Sequence, residues 1–166
     1  MRATVHIDLR DADGRIVGSR FARNSVMRGG ASLIANLFAG GQAPTWKMGV
    51  GVNDEPESDA FDSTGLTAPG EADDALEGGT EVDIPAENFS VELDTEKRVA
   101  LVTVRATMPH EAAVGKVREA GLIASTGNGD VLYNRVTFAP IDKRNDHELT
   151  LFWEVTFPYG DLHALF

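Results

Sequence analysis

Five carboxylates crowd one short stretch of this chain: Asp54, Glu55, Glu57, Asp59 and Asp62. Oxygen ligands at that density are what a Ca²⁺ ion takes. The spacing, however, lacks the glycine and the terminal glutamate of the helix-flanked calcium loop. The stretch therefore reads as a solvated acidic loop, and no metal is assigned to it. The four histidines, His6, His110, His147 and His163, never pair at ligand spacing. His110 and Glu111 are adjacent, which sends their side chains to opposite faces of an extended segment. No Gly-x-Ser-x-Gly elbow, His-Glu-x-x-His pair or phosphate-binding Gly-x-x-x-x-Gly-Lys loop occurs. Gly49-Val50-Gly51 lacks the third glycine of a dinucleotide loop. Trp46, Tyr133, Trp153 and Tyr159 could stack on sugars, but both tryptophans fall on the apolar faces of their strands. The expectation is a chain with no catalytic residues, no metal and no cofactor.

Charge is segregated along the 166 residues. Residues 53–96 hold 15 of the 26 acidic side chains and none of the 15 Lys and Arg. The rest is near neutral, so the net charge of -11 comes from one insertion. That is the opposite of a nucleic-acid footprint, which needs a basic face. There is no cysteine, which excludes disulfides and thiolate metal sites. No apolar run approaches the roughly 20 residues of a membrane span, and the first residues lack the apolar core of a signal peptide. Synthesis in a host cytoplasm is expected, with neither membrane nor nucleic acid as partner.

The elements that would position these side chains are mostly strands. Ala3, Val5, Ile7 and Leu9 alternate with polar residues, the period of a half-buried strand. Asp11-Ala12-Asp13-Gly14 turns the chain, and Arg15 to Ala22 returns. Leu33, Ile34, Leu37 and Phe38 share one face of a helix predicted near residues 27–39, with Asn24 or Ser25 as its cap and Gly40-Gly41 as its stop. Trp46, Met48, Val50 and Val52 form the next strand. Residues 53–80 read as a long acidic loop with few large apolar side chains (Phe61, Leu66 and Leu76), either disordered, ordered by a partner or wrapped across the surface. Residues 54–80 are expected to be mobile in the free subunit and to become ordered, if at all, against a neighbour. Strands follow at Phe89–Leu93, Ala100–Met108, Val117–Ala124, Val131–Phe138 and Leu149–Phe157. Thr126-Gly127-Asn128-Gly129 signals a hairpin, and Pro140 is expected to end the strand before it. The sum is one mainly β domain over residues 1–166, an antiparallel β-sandwich or jelly-roll-like fold of about eight strands with one main helix.

Four stretches, in order, carry a likeness. They are Asn24 to Gly40, ending in Ser32-Leu33-Ile34-Ala35-Asn36-Leu37-Phe38-Ala39-Gly40; Met48-Gly49-Val50-Gly51-Val52-Asn53 with Ser63-Thr64-Gly65-Leu66; Val117-Arg118-Glu119-Ala120-Gly121-Leu122-Ile123; and Val131 to Phe138, then Pro140, then Glu148-Leu149-Thr150-Leu151-Phe152-Trp153. Together they resemble the small structural virion proteins of tailed bacteriophages and phage-derived contractile injection systems, of the tail, baseplate or fibre-attachment type. The resemblance implies a structural subunit of a virion or phage-like particle, a homo-oligomer in a trimer or ring, docked on other particle proteins. A capsid decoration or turret protein and a carbohydrate-binding module are the alternatives. The acidic insertion departs from the short linker expected there. Leu162, Leu165 and Phe166, beyond the last strand, are candidate assembly contacts; folding back onto their own core is the other reading.

Overall fold

The computed structural model describes residues 2–57, 60–66 and 74–160, and for Arg2 the backbone only. The elements are β1 (Arg2–Arg10), β2 (Ile16–Val26), α1 (Arg28–Phe38), β3 (Thr45–Gly51), β4 (Glu81–Ile84), a 3₁₀ turn (Ala86–Asn88), β5 (Phe89–Asp94), β6 (Val99–Met108), β7 (Gly115–Thr126), β8 (Gly129–Lys143) and β9 (Glu148–Pro158). The fold is mainly β, as expected, with nine strands rather than eight. The added one is β4, four residues too short to show a period.

All nine strands join in one antiparallel sheet, ordered β4-β3-β7-β8-β2-β1-β9-β6-β5. Its edges, β4 and β5, are consecutive in sequence. A flat sheet of this width would hold them about 38 Å apart, at about 4.8 Å per strand. The link from Ile84 to Phe89 can span about 18 Å at most. The sheet must therefore curl, and it does so around β2. That strand pairs with β1 from Ile16 to Asn24 and then joins the β8 ladder at Ser25 and Val26. One half comprises β2-β1-β9-β6-β5, the other β4-β3-β7-β8.

The main core lies between the halves. Val5, Ile7, Leu149, Leu151, Trp153 and Met108 from the first meet Met48, Val50, Val117, Ala120, Leu122 and Val136 from the second. The alternation read in β1 and β9 is reproduced: Val5, Ile7, Leu149, Leu151 and Trp153 are fully buried. The hairpins at Gly14 and at Gly127-Asn128 form where their turn residues predicted them, with Gly14 at φ +78°. Helix α1 lies on β8, where Gly30 packs so tightly on Tyr133 that any Cβ would overlap the Tyr133 carbonyl oxygen.

Several local expectations need correction. The residue at the helix N-cap is Met27, without a side-chain cap bond; Asn24 and Ser25 belong to β2. Phe38 is 95% exposed and leaves the helix's buried stripe to Leu33, helped by Ile34 and Leu37. Pro140 does not end β8. Val117 pairs with Ile141 and Glu119 with Thr137, so a bulge of three residues on β8 faces Arg118 alone and absorbs the proline. Val91 and Leu93 keep their inward phase but are 71% and 65% exposed, because β5 is an edge that nothing described covers.

Candidate functional site

In the second half the middle stretches of β3, β7 and β8 are buried on both faces, while β4 leaves Glu81 and Asp83 exposed. Register places Gly51, Glu119 and Thr137 in one cross-strand row and Gly49, Gly121 and Arg135 in the next, on the side away from the main core. The acidic loop lies over these rows. Beneath it Glu119 and Arg135 form an ion pair, with 2.6 Å between Glu119 Oε2 and Arg135 Nε, and neither side chain is more than 1% exposed. Two such charges out of water are tolerable only if their remaining donors and acceptors are met. They are met by the loop backbone. Arg135 donates to the carbonyl oxygens of Glu55 (2.8 Å) and Asn53 (3.2 Å), while the Asn53 amide donates to Glu119 Oε1 (3.4 Å).

Gly51 makes this approach possible, since a Cβ there would overlap the Glu119 carboxylate. Farther along, Leu66 drops onto the bare Gly49–Gly121 floor and joins Met27, Ile123 and Leu132 in a second, smaller core. Gly49, Gly51 and Gly121 thus mark the close approach of another segment to these strands.

This geometry decides what the acidic residues do. Glu57 accepts hydrogen bonds from the Thr137 amide and hydroxyl, the latter at 3.0 Å. Asp62 pairs with Arg28 at 3.0 Å. Glu55 contributes its backbone, and Asp54 is exposed. Asp59 lies outside the described residues, as do Leu162, Leu165 and Phe166. The described carboxylates are thus spread over separate partners, and no group of three potential ligands forms among the described residues. The expected mobility of the segment meets a structure in which residues 53–57 are tied to β7 and β8 and residues 60–66 to α1 and the smaller core. Two of the three large apolar side chains, Leu66 and Leu76, do pack into the cores, and the Asn53 and Glu55 carbonyls aimed at the buried Arg135 add a polar anchor.

The remaining candidates separate in the same way. Trp153 is fully buried, and Trp46 is half-buried in an aromatic cluster, 5.5 Å from Tyr133 and 6.3 Å from Phe89 between ring centroids. Burial pushes the Tyr133 phenol up to about 12. His6 bonds Asp8 at 2.8 Å, and its ring lies 6.2 Å from Phe152. His110 faces Glu148 and His147 faces Asp146, at 3.7 and 3.8 Å. Lys143, buried, donates to the Pro109 carbonyl at 2.8 Å, and desolvation holds its ammonium below the usual lysine range. The Glu119–Arg135 pair was hidden in the sequence, because two charges in separate strands carry no spacing signal.

A cleft of about 1000 Å³ opens between α1 and the β7–β8 hairpin, with Ser32, Asn36, Gln42, Thr45, Ser125 and Asn128 among its walls. It contains polar neutral side chains and no charged one. No helix among the described residues is long and apolar enough to cross a membrane. Searches found no protein-family model, no curated protein and no solved structure that matches this chain.

Proposed function

We propose that the chain is a structural subunit of a tailed phage or phage-derived particle, of the tail, baseplate or fibre-attachment kind. It acts by self-association and by docking onto other particle proteins, without catalysis, cofactor, nucleic acid or membrane. In this reading the two halves of the curled sheet serve as the layers of a β-sandwich around one core. One observation carries the docking role: large apolar side chains are exposed on several separate sides. Ile16 and Val17 stand at the β1–β2 hairpin, Phe21 and Phe152 on the outer side of the first half, Phe38 at the end of α1, and Val91 and Leu93 on β5. Single exposed apolar residues are ordinary on a monomer, whereas groups of them mark interaction surfaces. A subunit with several neighbours needs several such surfaces.

The test is quantitative mass spectrometry of gradient-purified particles from cells that make this chain. A fixed copy number per particle, in step with the other structural proteins, is expected. Particles that lack the chain, or hold only a trace, would overturn the reading.

A further inference from the structure

Open sheet edges invite pairing with other chains, and proteins blunt them with proline, lysine, bulges or very short strands. The two edges of this sheet differ in that respect. β4 has four residues. β5 has six, Phe-Ser-Val-Glu-Leu-Asp, in unbroken register with β6 from Phe89↔Val104 to Asp94↔Val99. It holds no proline, lysine or bulge, and β6 is its only strand partner among the described residues.

The side chains of β5 are sorted by face. Phe89 reaches the main core, but Val91 and Leu93 on the same side continue past its cover. Ser90, Glu92 and Asp94 occupy the other side. Glu87 precedes the strand, and Lys97 in the following turn is held toward Asp94 at 3.5 Å. An added strand would complete the apolar row beyond Val91 and Leu93 and would meet carboxylates on its opposite side. A second copy fits poorly. Antiparallel pairing of two β5 strands gathers Glu92 and Asp94 of both copies on one face, and like charges across strands are destabilising.

We propose that β5 is an acceptor edge for one extended segment of another protein, in which apolar residues alternate with Lys or Arg. Main-chain hydrogen bonds to the edge supply affinity, and the alternating side chains supply selection. The inference rests on the docking role proposed above and gives the partner's chemistry. It is tested on the isolated chain, so its failure is separate from the chain's absence from particles.

The probes are three end-capped ten-residue peptides: alternating Val and Lys, alternating Val and Glu, and a block-scrambled Val/Lys control. Calorimetry measures affinity, and hydrogen exchange locates the contact. The Val–Lys peptide is expected to bind and to slow exchange of β5 amides while leaving those of β9 unchanged. Glu92→Lys, an exposed position with no packing role, is expected to weaken that peptide about three- to tenfold and to favour the Val–Glu one. Four outcomes overturn the proposal: no binding of the Val–Lys peptide, equal binding of all three, no effect of Glu92→Lys, or β5 amides already protected in the free chain. The last would mean that the chain's own residues or a second copy already fill the edge.

Discussion

The two halves of the sheet are built by different rules. In the β2-β1-β9-β6-β5 half the inner strands β1, β9 and β6 bury one face, whereas β2 and β5 have no fully buried residue. On β9, Leu149, Leu151, Trp153 and Val155 are buried, and of the residues between them Phe152 and Glu154 are exposed while Thr150 is buried beside Asp8. In the other half β7 is buried without a break from Glu119 to Ala124, because the acidic loop covers its second face. The first half is stabilised by apolar burial on one side and leaves Phe21, Phe152, Val91 and Leu93 to solvent. The second half is stabilised by burial on both sides and an internal ion pair. A covered face can hold a charge only with a fixed partner; an uncovered one can present side chains to a neighbour.

Substitutions can break this contrast. The largest effects are expected inside. Trp153→Ala should cost about 3–5 kcal/mol, the range for deleting a large buried aromatic. Arg135→Met should cost a similar amount, about 3–5 kcal/mol, because Glu119 would stay buried without its partner. Unlike Trp153→Ala, it should also release residues 53–57 to rapid hydrogen exchange. Urea unfolding with exchange mass spectrometry separates the two, and retention of loop protection in Arg135→Met would argue against the anchor. Gly30→Ala should cost about 1–3 kcal/mol, since the new Cβ needs the space of the Tyr133 carbonyl.

A smaller effect is expected from alkali. Tyr133 ionises near 12 when folded and near about 10 when unfolded. The folded state therefore retains its proton longer. Its contribution to stability is whole below about pH 10 and declines as pH rises toward 12. Ultraviolet titration should show one phenol appearing late, and Tyr133→Phe should remove that late step. The smallest stability effect belongs to the outer face. Phe21→Ser, at a position 67% exposed, should alter folding stability by less than about 0.5 kcal/mol, and Phe152→Ser, whose ring is partly covered beside His6, should cost about 1 kcal/mol.

The same contrast explains what the sequence disclosed. Strands β1, β6 and β9 show period two because water contacts one face, so their alternation was legible, and so were the turn at Gly14 and the hairpin at Gly127-Asn128. In β7 and β8 the period is lost, since both faces are buried and bulges lie between Val117 and Glu119 and between Leu122 and Ile123. Pro140 misled for that reason. Val91 and Leu93 matched the pattern of a core strand because alternation reports phase and is blind to whether anything lies above the face. The Glu119–Arg135 pair and its grip on Asn53 and Glu55 left no trace in the spacing. They arise from register, which brings Gly51 beside Glu119 and so opens room for a carboxylate.

In the proposed reading the uncovered half supplies most of the docking surface and the covered half holds the fold. The most direct measurement is the copy number per purified particle of the Phe21→Ser/Phe152→Ser chain, expressed beside the unaltered one. The expected result is a cooperatively folded double variant, its melting temperature lowered by no more than a few degrees, that is depleted from particles at least several-fold. Incorporation at parity with the unaltered chain would contradict it.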